Sequence, residues 1–330
     1  MLEVSRENST VIKGIAILMM VFYHLFGFNY AEQCVNLFHI GDMPLVTWLA
    51  RACNPVVLFL LLSGYGLACK YEKGTLNPQH QADRAIFLYA HYWIILAFFV
   101  TLGHFMVPSL YPGSLSKVIE NATGWHTTYN REMWFLLPYV LVSIASLYII
   151  RSIDKIGYIW AIGITSLLYI VIYFINNRYS AQLYDNLALY QLLIFVQFLY
   201  PFTVGVAMRR TSINLNRHLP QWAVLAGILL LVFILCVTNL HLCYMFCAPL
   251  MVILFSHIRY PRLLKAMFIE LGKKSMPMWM THTWLAYYLF ESQVYSLRHP
   301  LLIFIALTIA SFLLSIPVMW LAGRLRQVAS

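Results

Sequence analysis

The chain has 330 residues, 61% hydrophobic and only 10% charged, with a mean hydropathy of +0.73 and a formal net charge of +10. Soluble domains carry about a quarter charged residues, so most of this surface is not solvated and a water-soluble domain is excluded. No polar tail, low-complexity block or second compositional zone interrupts the sequence, and residues 1–330 read as a single membrane-embedded domain.

A helix crosses a hydrocarbon core in roughly 20 residues. Ten stretches meet that length: 11–28, 52–69, 85–107, 132–150, 158–175, 187–208, 221–238, 241–258, 275–290 and 301–322. The expected fold is all-α and polytopic, with about ten transmembrane helices and both termini cytoplasmic. The first stretch, "STVIKGIAILMMVFYHLFGF" from Ser9 to Phe28, carries Lys13 at one end and His24 well inside. Eleven residues are close to three whole turns, so both side chains lie on nearly one face, about 16 Å apart along the axis. Lys13 can lead its long stem to polar ground. His24 is an intramembrane ionisable group, and such groups are costly and face a cavity or pathway. A histidine that only packs against neighbouring backbone is the alternative.

The third span starts at Arg84 and carries His91 one to two turns further in, with His104 near its far end. The loop that follows, "PSLYPGSLSKVIENATGWHTTYNR", holds Trp125, His126 and Tyr129, and Glu132 stands at the mouth of span four. Aromatic residues there either stack on the faces of a ligand or belong to the aromatic belt of the interface. Glu132 either orients His24 or pairs with Arg131 in solvent. The breaks "NNRYSAQLYDN", "TSINLNRHLP" and "ESQVYSLRHP" carry ordinary turn chemistry. The break at 238–241 is the least marked, and a re-entrant pair is open there. The ninth span starts at Lys273-Lys274 and carries His282 at a depth similar to His91.

With the N-terminus inside, only Arg51, Lys117, Arg131, Arg178 and Arg298 fall outside, and the remaining 17 of the 22 Lys and Arg fall inside. Cationic loops are retained in the cytoplasm, which explains the basic charge without any nucleic acid partner. The first span has its charge within the apolar run and no small-residue cleavage site after it, so it is not a removable signal. The six cysteines show no CxxC or His/Cys spacing, and no metal is expected. Asn121-Ala122-Thr123 is a three-residue sequon match that arises by chance.

Three outward-running helices thus share one pattern, a cation at the inner mouth and an imidazole deeper in. Phosphates favour Lys and Arg partners, and a neutral imidazole suits proton abstraction near neutral pH. An elongated, phosphate-bearing acyl carrier such as a coenzyme A thioester fits that geometry. A multi-helix transporter, proton-coupled or exporting a glycan, is the competing class; no internal repeat supports it.

Several segments carry a resemblance. Lys13-Gly14 and His24, "VVLFLLLSGYGL" (56–67), "RAIFLYAHYWII" (84–95), "REMWFLLPYVL" (131–141) and "LGKKSMPMWMTHTWL" (271–285) resemble, in order, the segments of the integral-membrane acyltransferase-3 family. Resemblance to this family implies O-acylation, usually acetylation, of sugar hydroxyls in a cell-surface polysaccharide or its lipid-linked precursor. It implies cytoplasmic acetyl-CoA as donor and a multi-pass location in the inner membrane of a bacterium. His24 would be the catalytic histidine, as a base or through an acyl intermediate. Lys13 and Arg84, with Lys273 and Lys274, would meet the carrier's phosphates. Ser63, Gly64, Tyr65, Glu132, Trp134 and His282 are candidates to line the active site. The chain departs from the family pattern in that Arg84 stands without the further arginines common there, and Phe87 holds a place commonly basic. Pro138 and Tyr139 replace the glutamates of peptidoglycan-acylating relatives. No appended extracytoplasmic domain is expected. The sequence sets neither the sugar and its hydroxyl position nor the oligomeric state.

Overall fold

The first helix, α1 (Arg6–Phe26), starts where Ser5 accepts the Asn8 backbone N–H at 3.0 Å, the usual N-cap bond, and stops at Gly27. In this computed structural model, which describes residues 4–211 and 219–329, twelve further helices follow. They are α2 (Leu45–Ala50), α3 (Pro55–Glu72), α4 (Pro78–Met106), α5 (Leu115–Thr123), α6 (Leu136–Ile156) and α7 (Tyr158–Asp185). Then come α8 (Leu187–Arg210), α9 (Gln221–Thr238), α10 (Tyr244–His257), α11 (Arg262–Thr283), α12 (Glu291–Tyr295) and α13 (Pro300–Ala329). Among the described residues the only sheet is a hairpin pairing His39–Ile40 with Met43–Pro44.

Among the described residues, eight segments are long and apolar enough to cross a membrane, and His241–His257 is a shorter apolar stretch. Each of the ten expected spans has its helix, and the protein is an all-α polytopic membrane protein. The largest shift is in the ninth span, where α11 begins at Arg262 rather than near residue 275. Its first half, "RLLKAMFIELGKK", is too polar to read as a span but continues the same helix. At 238–241 the chain turns at Asn239, whose φ of 48° caps α9 in the left-handed region. Arg217, counted among the inner cations, and most of "TSINLNRHLP" lie outside the described residues.

Two glycine contacts bring helix backbones together. A Cβ on Gly14 would fall on the carbonyl of Phe268, and one on Gly272 on the carbonyl of Thr10. Small residues let helices approach this closely in lipid, where packing and interhelical hydrogen bonds drive association. In the same way Gly64 of α3 meets Phe202 of α8, and Gly205 meets Leu61. Ion pairs tie the helix ends bearing most of the cations. Glu72 holds Arg209 at 2.7 Å and Arg210 at 2.8 Å, Arg210 also reaches Asp154 at 3.1 Å, and Lys265 pairs with Glu7. We call this the basic end.

Candidate active site

The α1–α11 contact sets the positions of two histidines. Gly14 lies ten residues before His24 and Gly272 ten residues before His282, about 15 Å of rise in each helix. The helices run parallel, so equal steps from one crossing bring the two imidazoles to the same depth. They meet there, with His24 Nδ1 2.7 Å from His282 Nε2 and ring centroids 4.9 Å apart. Both rings are buried, His24 at 7% exposure and His282 at 0%.

Hydrogen bonding assigns the protons. Carbonyl oxygens only accept, and His282 Nδ1 lies 2.8 Å from the carbonyl of Trp279 and 3.1 Å from that of Met278. His282 Nδ1 therefore carries a proton and donates it to backbone. Its Nε2, neutral and unprotonated, accepts from His24 Nδ1–H. The remaining nitrogen, His24 Nε2, then presents a lone pair, the state of a general base. The contact with His282 thus sets the tautomer of His24. Further along, Trp284–Tyr288 form a π-helical turn closed by Leu289 N–H on the Trp284 carbonyl at 3.0 Å. This turn brings the Tyr287 hydroxyl onto the His24 carbonyl and the Tyr288 hydroxyl to Glu132 at 2.7 Å. Such turns recur at functional sites.

Two cavities flank this centre. The larger, about 850 Å³, is lined by His24 together with Trp125, His126, Glu132, Trp134 and His241. The smaller, about 340 Å³, opens among Lys13, Arg84, Phe87 and Lys273 at the basic end. Met20, Val56, Phe135 and Trp279 line both, so one layer of side chains separates them. Met20 is one helical turn before His24 on α1. Lys13, Arg84 and Lys273, from three helices far apart in sequence, converge on one cavity. Lys274 does not line it; Glu270 holds both ammonium groups, that of Lys273 at 2.7 Å and that of Lys274 at 2.8 Å, and Lys274 lies 4.7 Å from the Phe312 ring centroid.

Other expected residues fall differently. Ser63, Gly64 and Tyr65 line neither cavity. They lie in the interior of α3, where Gly64 packs on α8 and the Tyr65 hydroxyl accepts the Val4 N–H at 2.9 Å. Glu132 and Trp134 do line the larger cavity, but Glu132 is bound by Tyr288, and it is His282 that bonds the His24 ring. Tyr129 is buried behind the wall, with its hydroxyl on the Pro112 carbonyl. His91 bonds the Phe87 carbonyl at 2.7 Å and His104 that of Tyr111 at 3.1 Å, within their own helix and its following loop. Asn121 is buried, its side chain held by Lys117, Thr128 and Tyr129. Among the described residues no group of three or more His, Cys, Asp or Glu could hold a metal ion.

Sequence reasoning missed two supports of the basic cavity. Gln81 is buried, donates to the Ser143 carbonyl and Ser146 hydroxyl, both at 2.8 Å, and accepts from Arg84 at 3.1 Å. A glutamine one turn before Arg84 was the only signal. Arg326, from the other end of the chain, places its guanidinium 5.2 Å from the Phe87 ring centroid. It brings positive charge to the position where a basic residue is common in the family.

Fold and site together define a polytopic membrane protein with a buried, hydrogen-bonded histidine pair beside an aromatic cavity, one layer of side chains from a basic one. A family model described as an acyltransferase domain matches residues 7–320. The chain belongs to the acyltransferase-3 family and is a multi-pass membrane acyltransferase. No curated protein and no solved structure matched the chain.

Proposed function

We propose that the protein moves an acetyl group from cytoplasmic acetyl-CoA to a sugar hydroxyl of a cell-surface polysaccharide or its lipid-linked precursor, in the inner membrane of a bacterium. The observation that carries this reading is the layout of the two cavities, one cationic and one aromatic, with His24 on the aromatic side of the layer between them. Lys13, Arg84 and Lys273 suit a polyphosphate carrier, since ammonium and guanidinium groups form charge-assisted bonds to phosphate. The larger cavity offers tyrosines, tryptophans and side-chain amides, which suit sugar faces and hydroxyls.

His24 Nε2 takes the proton of the acceptor hydroxyl as that oxygen attacks the thioester carbonyl carbon. A carbon–oxygen bond forms, the carbon–sulfur bond breaks, and His24 returns the proton to the departing sulfur. Products are the sugar ester and the free thiol. His282 keeps Nδ1 of His24 committed as a donor throughout, so Nε2 alone handles the proton. The layer of Met20, Val56, Phe135 and Trp279 keeps water from the thioester and must part to admit the acyl end. Proton transfer by a placed base contributes about 10²–10⁴ in rate.

The test supplies membranes containing the protein with acetyl-labelled coenzyme A and an extract of lipid-linked glycans. Label in an alkali-labile glycan ester, lost with His24→Ala, is the expected result. Equal label in both would remove His24 as the base, and no label from folded protein would overturn acetyl transfer to these acceptors.

A further inference from the structure

The larger cavity has a second chemical feature, away from the histidine pair. Gln191 on α8 lines it, is 5% exposed, and donates from Nε2 to the Trp125 carbonyl at 2.9 Å. A carbonyl only accepts, so this contact fixes which end of the amide is nitrogen. Gln191 Oε1 is left buried with no hydrogen-bond partner among the described residues. The same holds on the neighbouring helix α7. Asn176 Nδ2 donates to Gln197 Oε1 at 3.2 Å. Asn176 Oδ1 is likewise buried and without a partner among the described residues, and Asn176 lines the same cavity.

A buried acceptor left unmet is costly, and such groups in native structures are met by a ligand, water or ion. Here there are two, both amide oxygens and both with their nitrogen ends anchored. They accept and cannot donate without breaking an internal bond. Tyr173, Tyr190 and Trp125 line the same cavity and offer apolar faces. We infer that Gln191 and Asn176 form the part of the acceptor subsite that selects a polyhydroxylated substrate, by each accepting a hydrogen bond from a hydroxyl other than the one acylated. This rests on the reading of the protein as a sugar O-acetyltransferase and names the residues that would choose among sugars.

The discriminating probe is fluorine, which replaces a hydroxyl at similar size and cannot donate. The full-length protein, purified into nanodiscs, is given acetyl-labelled coenzyme A with methyl glycosides of glucose, galactose and mannose. Each glycoside is paired with its monofluoro-deoxy counterparts. At one or two ring positions other than the acylated one, wild type should lose about tenfold or more in kcat/KM when hydroxyl becomes fluorine, the loss of one buried hydrogen bond. Gln191→Leu and Asn176→Leu should each shrink that ratio to within about threefold at one position. A merely structural role would lower all rates alike and leave the ratio standing. Asn176 is half-buried, so Asn176→Leu carries the test should Gln191→Leu fail to fold. Wild type that acetylates the glycosides yet tolerates fluorine everywhere else, or variants that keep the wild-type ratio, would overturn the subsite alone. Wild type that labels neither these glycosides nor the lipid-linked glycan extract would overturn the functional reading beneath it.

Discussion

His24 and His282 share one hydrogen bond, and their tautomers set which nitrogen is left free. Because the Met278 and Trp279 carbonyls occupy His282 Nδ1, the only lone pair free to receive a substrate proton is His24 Nε2. His24→Ala should therefore lower kcat by about 10²–10⁴ while acetyl-CoA binding persists. His282→Phe removes the acceptor for His24 Nδ1 but keeps a ring in the site. A fall in kcat of at least about tenfold with little change in KM is expected, the signature of lost transition-state stabilisation. A rise in KM with unchanged kcat would instead make His282 part of substrate binding. The sequence marked both histidines as costly intramembrane groups. It could not show that they touch, since 258 residues separate them.

Among the helices, the α1–α11 crossing decides whether the site exists. Gly14 and Gly272 allow the backbones to touch, and Thr283 ties the end of α11 to Asn130 at 2.9 Å. Gly272→Val would force a branched side chain against the Thr10 carbonyl. Overpacking of this kind costs about 1–3 kcal/mol. A lowered thermal midpoint of the solubilised protein is expected, together with a loss of activity beyond that of Gly323→Val, where no atom lies within 4 Å of the added carbon. If both variants behave alike, the crossing is not what positions the histidines. Lys13-Gly14 and Gly272 were both visible in the sequence as parts of family-like segments, but nothing there showed that they meet, and Gly272 stood within a polar run. That run also hid the start of α11, because hydropathy does not register a polar half-helix continuing an apolar one.

Across the molecule, the separation of a cationic cavity from an aromatic one predicts a division of labour between the two ends. Lys13→Glu should weaken acetyl-CoA binding strongly, read by isothermal titration in detergent, with a smaller effect at high salt as screening grows. Unchanged affinity would remove Lys13 from the donor site. The orientation carries its own check. Single cysteines at Gln79, beside the basic end, and at Ser114, in the α4–α5 loop, should react with impermeant maleimide from opposite sides of sealed vesicles. Labelling of both from one side would overturn the ten-span topology.

The class, the helices and the family follow from the sequence, because burial in lipid demands long apolar runs with satisfied backbone and leaves ionisable residues only where they have use. His24, Lys13 and Arg84 stood out for that reason. The tertiary structure alone decided that Lys13, Arg84 and Lys273 share one cavity, and that His282 hydrogen-bonds His24. It likewise placed Ser63, Gly64 and Tyr65 in a helix interface, and left Gln191 and Asn176, in the wall of the larger cavity, with buried acceptor oxygens that have no partner among the described residues. The reason is physical: apolar length is a local property of the chain, whereas hydrogen-bond partners and cavity walls come from helices far apart in sequence, whose meeting depends on close contacts such as those at Gly14 and Gly272.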